Sequence, residues 1–327
     1  METVSAQVDH AANHLVRAAV SAPSVHNTQP WLFVGRETNL DVYADPTRRL
    51  LLTDPDGREQ LISGGAALFN VRVAMRHLGF RPVVQLLPTP WNPAHLARVG
   101  WGPYARPSTD ENLMYRALWQ RHTHRGPFQR SPLPQPLIGE LREHARAEGA
   151  ALYTVESRVA RRQLAELVRS AEAVHRNDPG HIAELVHWTR AARDRRPDGV
   201  PLDVCVRPPD RTGLIGRDFL GLTRTLPDVP EVWAPETGLT LVLATRHDTR
   251  EDWLHAGQAL QRVLLHATTR WAVAAFHTQP LEVPRLRAQV RTTLTRGDFP
   301  QMILRLGHAP RSRPTPRRRP DTVLSTE

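Results

Sequence analysis

The sequence predicts a protein of mixed helices and strands, built as two related halves within one chain. Two observations lead to this prediction. The 327 residues are enough for two domains of ordinary size, and the order helix, strand, glycine-bearing helix, strand-Gly-Pro occurs twice. In the glycine-bearing helices Gly257 echoes Gly65, and both units close on a similar phrase, ARVGWGP at 97–103 and LRLGHAP at 304–310. The identities are few, so coincidence stays an alternative to a pseudo-dimer in which two copies bury one symmetric face.

The first unit contains two predicted helices. Apolar residues at helical spacing follow Ser5, a suitable N-cap, and continue to Ala19. Asp54 and Pro55 are predicted to open a long helix as its N-cap and first helical residue, and Gly79 ends it. Short strands are expected around residues 32–34, 40–43 and 83–87.

The second unit begins with a capping box. Ser108 and Glu111 have the spacing of an N-cap and the residue that reaches back to it, which predicts a helix running to about Arg121. A strand over 239–245 and a helix opened by Thr249 are expected further along.

These signals predict a first half over residues 1–105 and a second half over residues 106–327. The second half has extra sequence at about 150–235, which we interpret as an insertion or lid. Turn-forming clusters lie within this stretch and indicate surface loops, not a third core; they read DPG at 178–180, RRPDG at 195–199 and RPPD at 207–210.

The composition is that of a globular protein and excludes several classes. Hydrophobic residues make up 40% and charged residues 23%, so disorder is not expected. The single cysteine, Cys205, excludes an internal disulfide and a multi-cysteine metal site, and fits a reducing cytoplasm. No apolar run approaches the roughly 18–20 residues of a membrane span, and the acidic start at residues 1–3 lacks the features of a secretory signal.

The formal net charge of +10 raises the question of nucleic acid. The sequence has no lysine, so all 43 basic residues are arginine. A uniform replacement of this kind indicates a codon bias of the genome more than a clustered binding patch. We therefore expect no nucleic-acid partner, and an arginine-rich nucleic-acid protein remains the weaker alternative.

The loop at 22–31, APSVHNTQPW, is the first candidate binding segment. Pro23 begins a rigid stretch, and Ser24, Asn27 and Gln29 offer short hydrogen-bonding groups. A flat heterocycle with imide-like donors and acceptors requires such groups. On the residues alone, a capped loop between a helix and a strand is the favoured interpretation, and a binding loop is the alternative.

The second candidate segment is RHTHR at 121–125. Arg121, Thr123 and Arg125 alternate, so an extended backbone would point all three to one side. Two bidentate guanidinium groups and a hydroxyl make a suitable phosphate clamp. The alternative is a solvated basic helix end that stabilises the helix dipole. His122 and His124 have no carboxylate or third histidine nearby in sequence, so no metal site is predicted.

The third candidate segment is RSRPTPRRRP at 311–320. It is either a disordered basic tail or an extended arm, stiffened by its prolines, whose arginines reach the same phosphate.

Together the three segments resemble motifs of the FMN-dependent nitroreductase family. Loop 22–31 resembles the flavin-side loop Pro-Ser-x-x-Asn-x-Gln-Pro-Trp, and 121–125 resembles the phosphate motif Arg-x-Ser-x-Arg with threonine in place of serine. Gly307 followed by 314–318 is similar to the C-terminal segment Gly-…-Pro-x-Arg-Arg. The loop lies in the first half and the phosphate motif in the second, as a duplicated, single-chain, Acg-like branch of the family would show.

The resemblance implies an α+β fold, with an antiparallel-dominated mixed sheet in each half and a long helix from each half at the interface. It also implies FMN as cofactor. The implied FMN-binding residues are Pro23, Ser24, Asn27 and Gln29 from the first half and Arg121, Thr123, Arg125, Arg317 and Arg318 from the second. Neither motif is repeated in the other half: the expected positions read RAAVS at 17–21 and GPF at 126–128. One FMN per chain is therefore expected.

The activity implied by the resemblance is ping-pong hydride transfer from NAD(P)H, through flavin N5, to a nitroaromatic or quinone-like acceptor. The flavin carries this chemistry, so no catalytic side chain is named. The expected partner is a small-molecule electron acceptor, with no membrane, and the internal pseudo-dimer is a monomer or a homodimer.

The main alternative to an enzyme is a protein that sequesters flavin with little turnover. The segment 150–235, with Gly213, Gly216 and Gly221 as hinges, would then close over the flavin. The sequence leaves open whether this segment is a mobile lid or a plug.

Overall fold

A computed structural model describes residues 2–191, 194–204, 214–219, 238–309 and 314–327. Its helices are α1 (Glu2–Ala19), α2 (Arg58–His77), α3 (Thr109–Ala117), α4 (Gln135–Arg146), α5 (Arg158–Arg176), α6 (Pro179–His187), α7 (Arg250–Thr269) and α8 (Pro284–Leu294). Its strands are β1 (Trp31–Gly35), β2 (Asn39–Ala44), β3 (Phe80–Leu86), β4 (His95–Tyr104), β5 (Ala151–Thr154), β6 (Thr189–Arg190), β7 (Val200–Pro201), β8 (Leu239–Thr245), β9 (Val273–Phe276), β10 (Phe299–Gly307) and β11 (Leu324–Thr326).

The strands form two main sheets. One has the order β11-β1-β2-β4-β3 and the other β5-β8-β10-β9, while β6 and β7 form a separate short pair. Every neighbouring pair in the two main sheets is antiparallel except β1 with β11, which is parallel. The predicted α+β class is therefore confirmed, and antiparallel pairing dominates both sheets; the first sheet is mixed, whereas the second is antiparallel throughout its described strands. None of the helices in the described part of the chain combines the length and apolar character needed to cross a bilayer.

The helices α2 and α7 pack backbone against backbone. A Cβ added to Gly65 would lie 2.3 Å from the carbonyl oxygen of Leu254, and one added to Gly257 would lie 2.1 Å from that of Ile62. Real Cβ atoms do not come this close, so both positions need glycine. Their echo in the sequence thus has a packing cause, and hydrogen bonds such as the 2.7 Å contact from Gln261 Nε2 to Asn70 Oδ1 join the same two helices.

Three main apolar clusters lie around these elements. The first packs α1 and α2 on the β11-to-β3 sheet, and it includes Leu15, Val16, Trp31, Phe33 and Leu68. The second packs α4 and α7 on the other sheet, and it includes Leu141, Leu243, Leu260 and Leu304. The third joins α5 and α8 to the opposite face of that sheet, and it includes Leu164, Val168, Leu286 and Ile303.

The C-terminal residues pack against the first sheet, near the N-terminal part of the chain. After β10, residues 314–327 run back to the first sheet, where β11 pairs with β1 from Phe33–Leu324 to Gly35–Thr326. The backbone N–H of Phe33 donates to Val323 at 2.8 Å. This segment is therefore an ordered arm, and the alternative of a disordered tail is wrong for residues 314–327; residues 311–313 lie outside the described part.

Most predicted elements are present, with shifted ends. The strand predicted over 239–245 has those bounds as β8, and both capping boxes form, at Ser108 and at Thr249. The helix predicted to start at Asp54 begins at Arg58. Gly57 has a left-handed backbone conformation (φ +74°), so the helix cannot include the residues before it. Helix α1 begins at Glu2, before Ser5, and α3 ends at Ala117, before Arg121.

The first part of 150–235, the stretch interpreted as an insertion or lid, is built of regular secondary structure and not of loops. Residues 151–187 form β5, α5 and α6, and α5 contributes to the third apolar cluster. The turn cluster at 178–180 only separates two helices, where the Asp178 side chain accepts from the N–H of Gly180 at 2.9 Å. The cluster at 207–210, and Cys205, lie outside the described residues.

A small substitution at the helix contact should destabilise the whole protein. Gly257→Ala places a methyl group against the backbone of α2, so the free energy of unfolding should fall by about 1–3 kcal/mol, the usual cost of overpacking. Gly139→Ala in α4 is the matched control, because nothing lies within 4 Å of its added Cβ. Urea titration should show no loss, or a small gain, for the control. Equal stabilities of the two variants would contradict the close contact.

Candidate functional site

A cavity of about 180 Å³ lies where segments distant in sequence meet. Its wall combines the loop after α1, the first turns of α2, the segment after α3, residues 216–219 and the segment that follows β9. Of the predicted site residues, Pro23, Ser24, Thr123 and Arg125 line it. The structure thus brings together the first and second candidate segments, which are about a hundred residues apart in the chain.

The segment 121–125 runs along the edge of a sheet. Thr123 forms an isolated parallel bridge with Ala274 of β9, and the N–H of His124 donates to the carbonyl of Ala274 at 2.7 Å. The extended backbone assumed from the sequence is therefore present at this point. Neither His122 nor His124 belongs to a cluster of three potential metal ligands within the described residues.

The loop 24–29 has an unusual backbone. His26, Asn27 and Gln29 have φ values of +47°, +56° and +51°. Such left-handed conformations are uncommon outside glycine and concentrate at functional sites. Ser24 supports the turn, because its Oγ accepts from the N–H of Gln29 at 2.9 Å.

The amides of Asn27 and Gln29 bind protein groups and do not line the cavity. Asn27 Nδ2 donates to the carbonyls of Gly199 at 2.9 Å and Pro316 at 3.1 Å. Gln29 Nε2 donates to Pro197 at 2.7 Å, and its Oε1 accepts from the N–H of Arg318 at 2.7 Å. The structure therefore gives both amides a positioning role, tying the loop to residues 197–199 and to the C-terminal arm.

Three arginines from the second and third candidate segments form a basic cluster, in which Arg121 is buried and Arg125 and Arg317 are half-buried. Burial, with the charge of Arg125, lowers the pKa of Arg121 to about 10, and burial, with the charges of Arg121 and Arg125, lowers that of Arg317 to about 9. Neither Arg121 nor Arg317 forms an ion pair with a described carboxylate.

Parts of these side chains are also left without hydrogen bonds. Arg121 Nη2 donates to the carbonyl of Ser21 at 3.0 Å, and Arg317 Nη1 donates to Asn27 Oδ1 at 2.8 Å. The Nε atoms of Arg121 and Arg317 are buried and have no partner in the described part of the chain. Buried charges of one sign are costly unless an anion is near. The cluster of Arg121, Arg125 and Arg317 therefore has the chemistry of a phosphate site.

Arg318 is placed differently from the sequence-based expectation. Its guanidinium lies against Asp45, at 3.5 Å from Oδ2, and donates to the carbonyls of Gln29 and Thr322. Burial and the charge of Arg48 lower its pKa, and the charge of Asp45 opposes this. Asp45 already pairs with Arg318. Arg318 therefore anchors the arm and does not join the basic cluster of Arg121, Arg125 and Arg317.

A second charged cluster lies on the α2 side of the cavity, and the sequence analysis missed it. Glu59, in the first turn of α2, lines the cavity and is buried, with its Oε1 accepting from Arg58 Nη2 at 2.9 Å. Burial, together with the charge of Glu282, raises the pKa of Glu59 to about 8. For Glu282 burial acts in the same direction, but Arg217, which donates to its Oε1, outweighs it and lowers the pKa to about 2.

The segment 214–219 closes one side of the cavity and is held by several contacts. Arg217 pairs with Glu282, and Asp218 Oδ2 lies 3.1 Å from Arg176 Nη2. The ring of Phe219 meets that of His26 edge-on at 5.7 Å. Of the three predicted hinge glycines, Gly216 lines the cavity, while positions 213 and 221 lie outside the described residues.

The fold and the site together define an α+β protein with a basic cluster suited to a phosphate beside a partly open cavity. No family model matches the chain. The chain is 34% identical over 312 residues to "Putative NAD(P)H nitroreductase Rv3131" of Mycobacterium tuberculosis, which covers 94% of this chain and 88% of that relative. It is 30% identical over 314 residues to "Putative NAD(P)H nitroreductase acg" of the same organism, covering 94% and 93%. The chain belongs to the nitroreductase family, as its motifs predict.

A solved structure gives a weaker likeness. The nitroreductase with bound FMN from Desulfitobacterium hafniense DCB-2 is 16% identical to this chain, with a TM-score of 0.38 over 66% of this chain and 99% of that one.

Inorganic phosphate should stabilise the protein when it is free of flavin. At ten times its dissociation constant, an anion bound to the basic cluster adds about 1.4 kcal/mol to the free energy of unfolding. Arg317→Met should remove this response, because the arginine lies beside Arg121 and Arg125.

Thermal unfolding with phosphate, against chloride at equal ionic strength, measures the response. The matched control is Arg146→Met, since that side chain is 70% exposed and pairs with Glu143 at the surface. A response to phosphate that is the same in both variants would show that the cluster is not the site.

Proposed function

We propose that this protein is an NAD(P)H-dependent oxidoreductase that holds FMN in the cavity and reduces nitroaromatic or quinone-like acceptors. The observation that carries the proposal is the cluster of Arg121, Arg125 and Arg317, in which the buried Nε atoms of Arg121 and Arg317 have no hydrogen-bond partner among the described residues. This cluster adjoins a cavity lined by the loop at Pro23 and Ser24. FMN joins a phosphate to a flat heterocycle, which is the combination that these two features fit. The names of the relatives support the reaction class.

The residues present fit the cofactor. Arg121, Thr123, Arg125 and Arg317 would hold its phosphate, with the orphaned Nε atoms of Arg121 and Arg317 as available donors. Pro23 and Ser24 would lie along the ring system, and Asn27 and Gln29 would keep the loop in place through their contacts with the arm. When bound, FMN supplies two-electron hydride chemistry, while the chain binds, orients and excludes water.

We further propose that the cofactor site is shared between two halves, 1–105 and 106–327. Loop 22–31 comes from the first and segment 121–125 from the second, and the close α2–α7 contact would be their interface. Because each motif occurs once, one FMN per chain follows. The internal pseudo-dimer leaves the assembly as a monomer or a homodimer.

Flavin sequestration is the second candidate function, and the segment 214–219 favours it. Arg217 and Asp218 pair with Glu282 and Arg176, so the segment is tied down over the cavity by two ion pairs. If these pairs hold the segment closed, substrates are excluded and the bound flavin turns over slowly.

The purified protein should be yellow and carry about one FMN per chain. Anaerobic addition of NADPH or NADH should bleach it, and a quinone should restore the colour. A yellow protein that no nicotinamide bleaches would favour sequestration. A colourless protein that cannot be reconstituted would refute the proposal, and close to two FMN per chain would refute the shared single site.

Removing one phosphate-cluster arginine should weaken FMN selectively. A charge-assisted hydrogen bond is worth roughly 1.5–3 kcal/mol, so Arg121→Ala should weaken FMN binding about 10- to 150-fold. Riboflavin lacks the phosphate and should bind as before.

Fluorescence titration with both ligands gives the ratio of affinities, and Arg146→Ala is the exposed control. Equal losses for FMN and riboflavin would assign Arg121 to the fold and not to the phosphate.

A further inference from the structure

Glu59 is a carboxyl group placed in the wall of the cavity with no role in holding a cofactor. It lies in the first turn of α2, on the same stretch as the cavity residues Ile62 and Ser63, and only 4% of its surface is exposed. Its backbone N–H donates to Asp54 Oδ1 at 3.0 Å and its carbonyl accepts from Ser63 Oγ at 2.7 Å, so its position is fixed.

The charged groups around Glu59 come from three parts of the chain. Asp54 and Arg58 lie beside it at the start of α2, Glu282 precedes α8, and Arg217 lies on the segment 214–219. Burial and the two carboxylates favour the neutral acid, while Arg58 and Arg217 favour the carboxylate. The first set outweighs the second and raises the pKa of Glu59 to about 8, so the group is mostly protonated at neutral pH.

We propose that the Glu59 carboxyl donates the proton that the electron acceptor takes up when it is reduced in the cavity. The inference rests on the proposed function. For a quinone, FMN bound in the cavity would supply two electrons and one hydrogen as a hydride, which would make one of the two O–H bonds. The proton of Glu59 forms the second O–H bond, the hydroquinone leaves, and the Glu59 carboxylate regains a proton from water.

His26, His277 and Asp218, which also line the cavity, are poorer proton donors. Burial and Arg217 hold the pKa of His26 well below its usual value, and burial and Arg305 do the same for His277, so both imidazoles are neutral. Asp218 is paired with Arg176. An acid with a pKa close to the working pH is also the most efficient donor, because it is protonated and still releases its proton readily.

The test compares acceptors that need a proton with one that does not. Glu59→Gln keeps the shape of the side chain and removes its acidic proton. In stopped-flow reoxidation of the reduced holoprotein at pH 7, a quinone should react about 10²-fold or more slowly with the variant, the usual size of general-acid catalysis. Ferricyanide accepts single electrons without a proton and should react within about twofold of the wild type.

Glu172→Gln is the matched control. Glu172 is a second buried glutamate, and burial raises its pKa, but it does not line the cavity. Its Oε1 accepts from the N–H of Asp218 at 3.2 Å, and the side-chain oxygen of a glutamine would accept in the same way. Its quinone rate and pH profile should match the wild type, whose rate should fall as pH rises through about 8. In Glu59→Gln that fall should be absent.

A second readout needs no turnover. Infrared difference spectra of the flavin-free protein should show a protonated carboxyl band that titrates near pH 8 and is missing in Glu59→Gln. A group whose folded pKa is raised stabilises the fold at low pH, so the stability advantage of wild type over Glu59→Gln should shrink between about pH 4.5 and 8.

The outcomes separate this inference from the proposed function. A quinone rate and pH profile in Glu59→Gln equal to those of wild type would overturn the proton-donor role while leaving the oxidoreductase intact. If NAD(P)H fails to reduce the wild type, the proposed function fails. Dithionite-reduced protein still tests the proton donor against quinone and ferricyanide, and protein that cannot be loaded with FMN overturns both.

Discussion

The close backbone contact between α2 and α7 is the constraint on which the site depends. With glycine at 65 and 257 the two helices approach so nearly that a methyl group at either position would overlap a carbonyl oxygen of the other helix. This contact places the first turns of α2, with Glu59 and Ser63, beside Leu260 of α7 at the same cavity. Any change that separates the helices would therefore widen the cavity as well as loosen the core.

The C-terminal arm, residues 314–327, positions Arg317 at the site because it packs on the first sheet and on the loop at Asn27 and Gln29. Strand β11 fixes its far end on β1, and Asn27 and Gln29 hold its middle, which delivers Arg317 to Arg121 and Arg125. Packing of the arm brings Arg317 close to Arg121 and Arg125, and these positive charges repel one another. The hydrogen bonds of the Asn27 and Gln29 amides and the pairing of β11 with β1 must offset that repulsion. An anion in the cluster would remove the repulsion, and binding it would favour the docked arm by linkage.

Local signals in the sequence predicted most elements, but not the features that depend on burial. The capping boxes at Ser108 and Thr249 and the strand β8 follow from neighbouring residues. Motif patterns singled out Ser24, Thr123 and Arg125, which line the cavity. The start of α2 was misplaced because the left-handed Gly57 intervenes, while the Asp54 side chain still accepts from the first N–H groups of the helix. Glu59 was missed because two of the charged groups that set its pKa, Glu282 and Arg217, lie more than 150 positions away in the chain.

The cavity has two sides of opposite electrostatic character, and the segment 214–219 connects with the acidic one. Burial and the charge of Glu282 raise the pKa of Glu59, whereas Arg217 lowers the pKa of Glu282, so Glu282 is the first of the two carboxyls to ionise. With Arg217 in place Glu282 is ionised, and its charge helps to keep the proton on Glu59. Arg217 also lowers the pKa of Glu59 directly, so its charge acts on Glu59 in two opposite ways, directly and through Glu282. The pKa of Glu59 therefore depends on the segment 214–219, because that segment carries the guanidinium that pairs with Glu282.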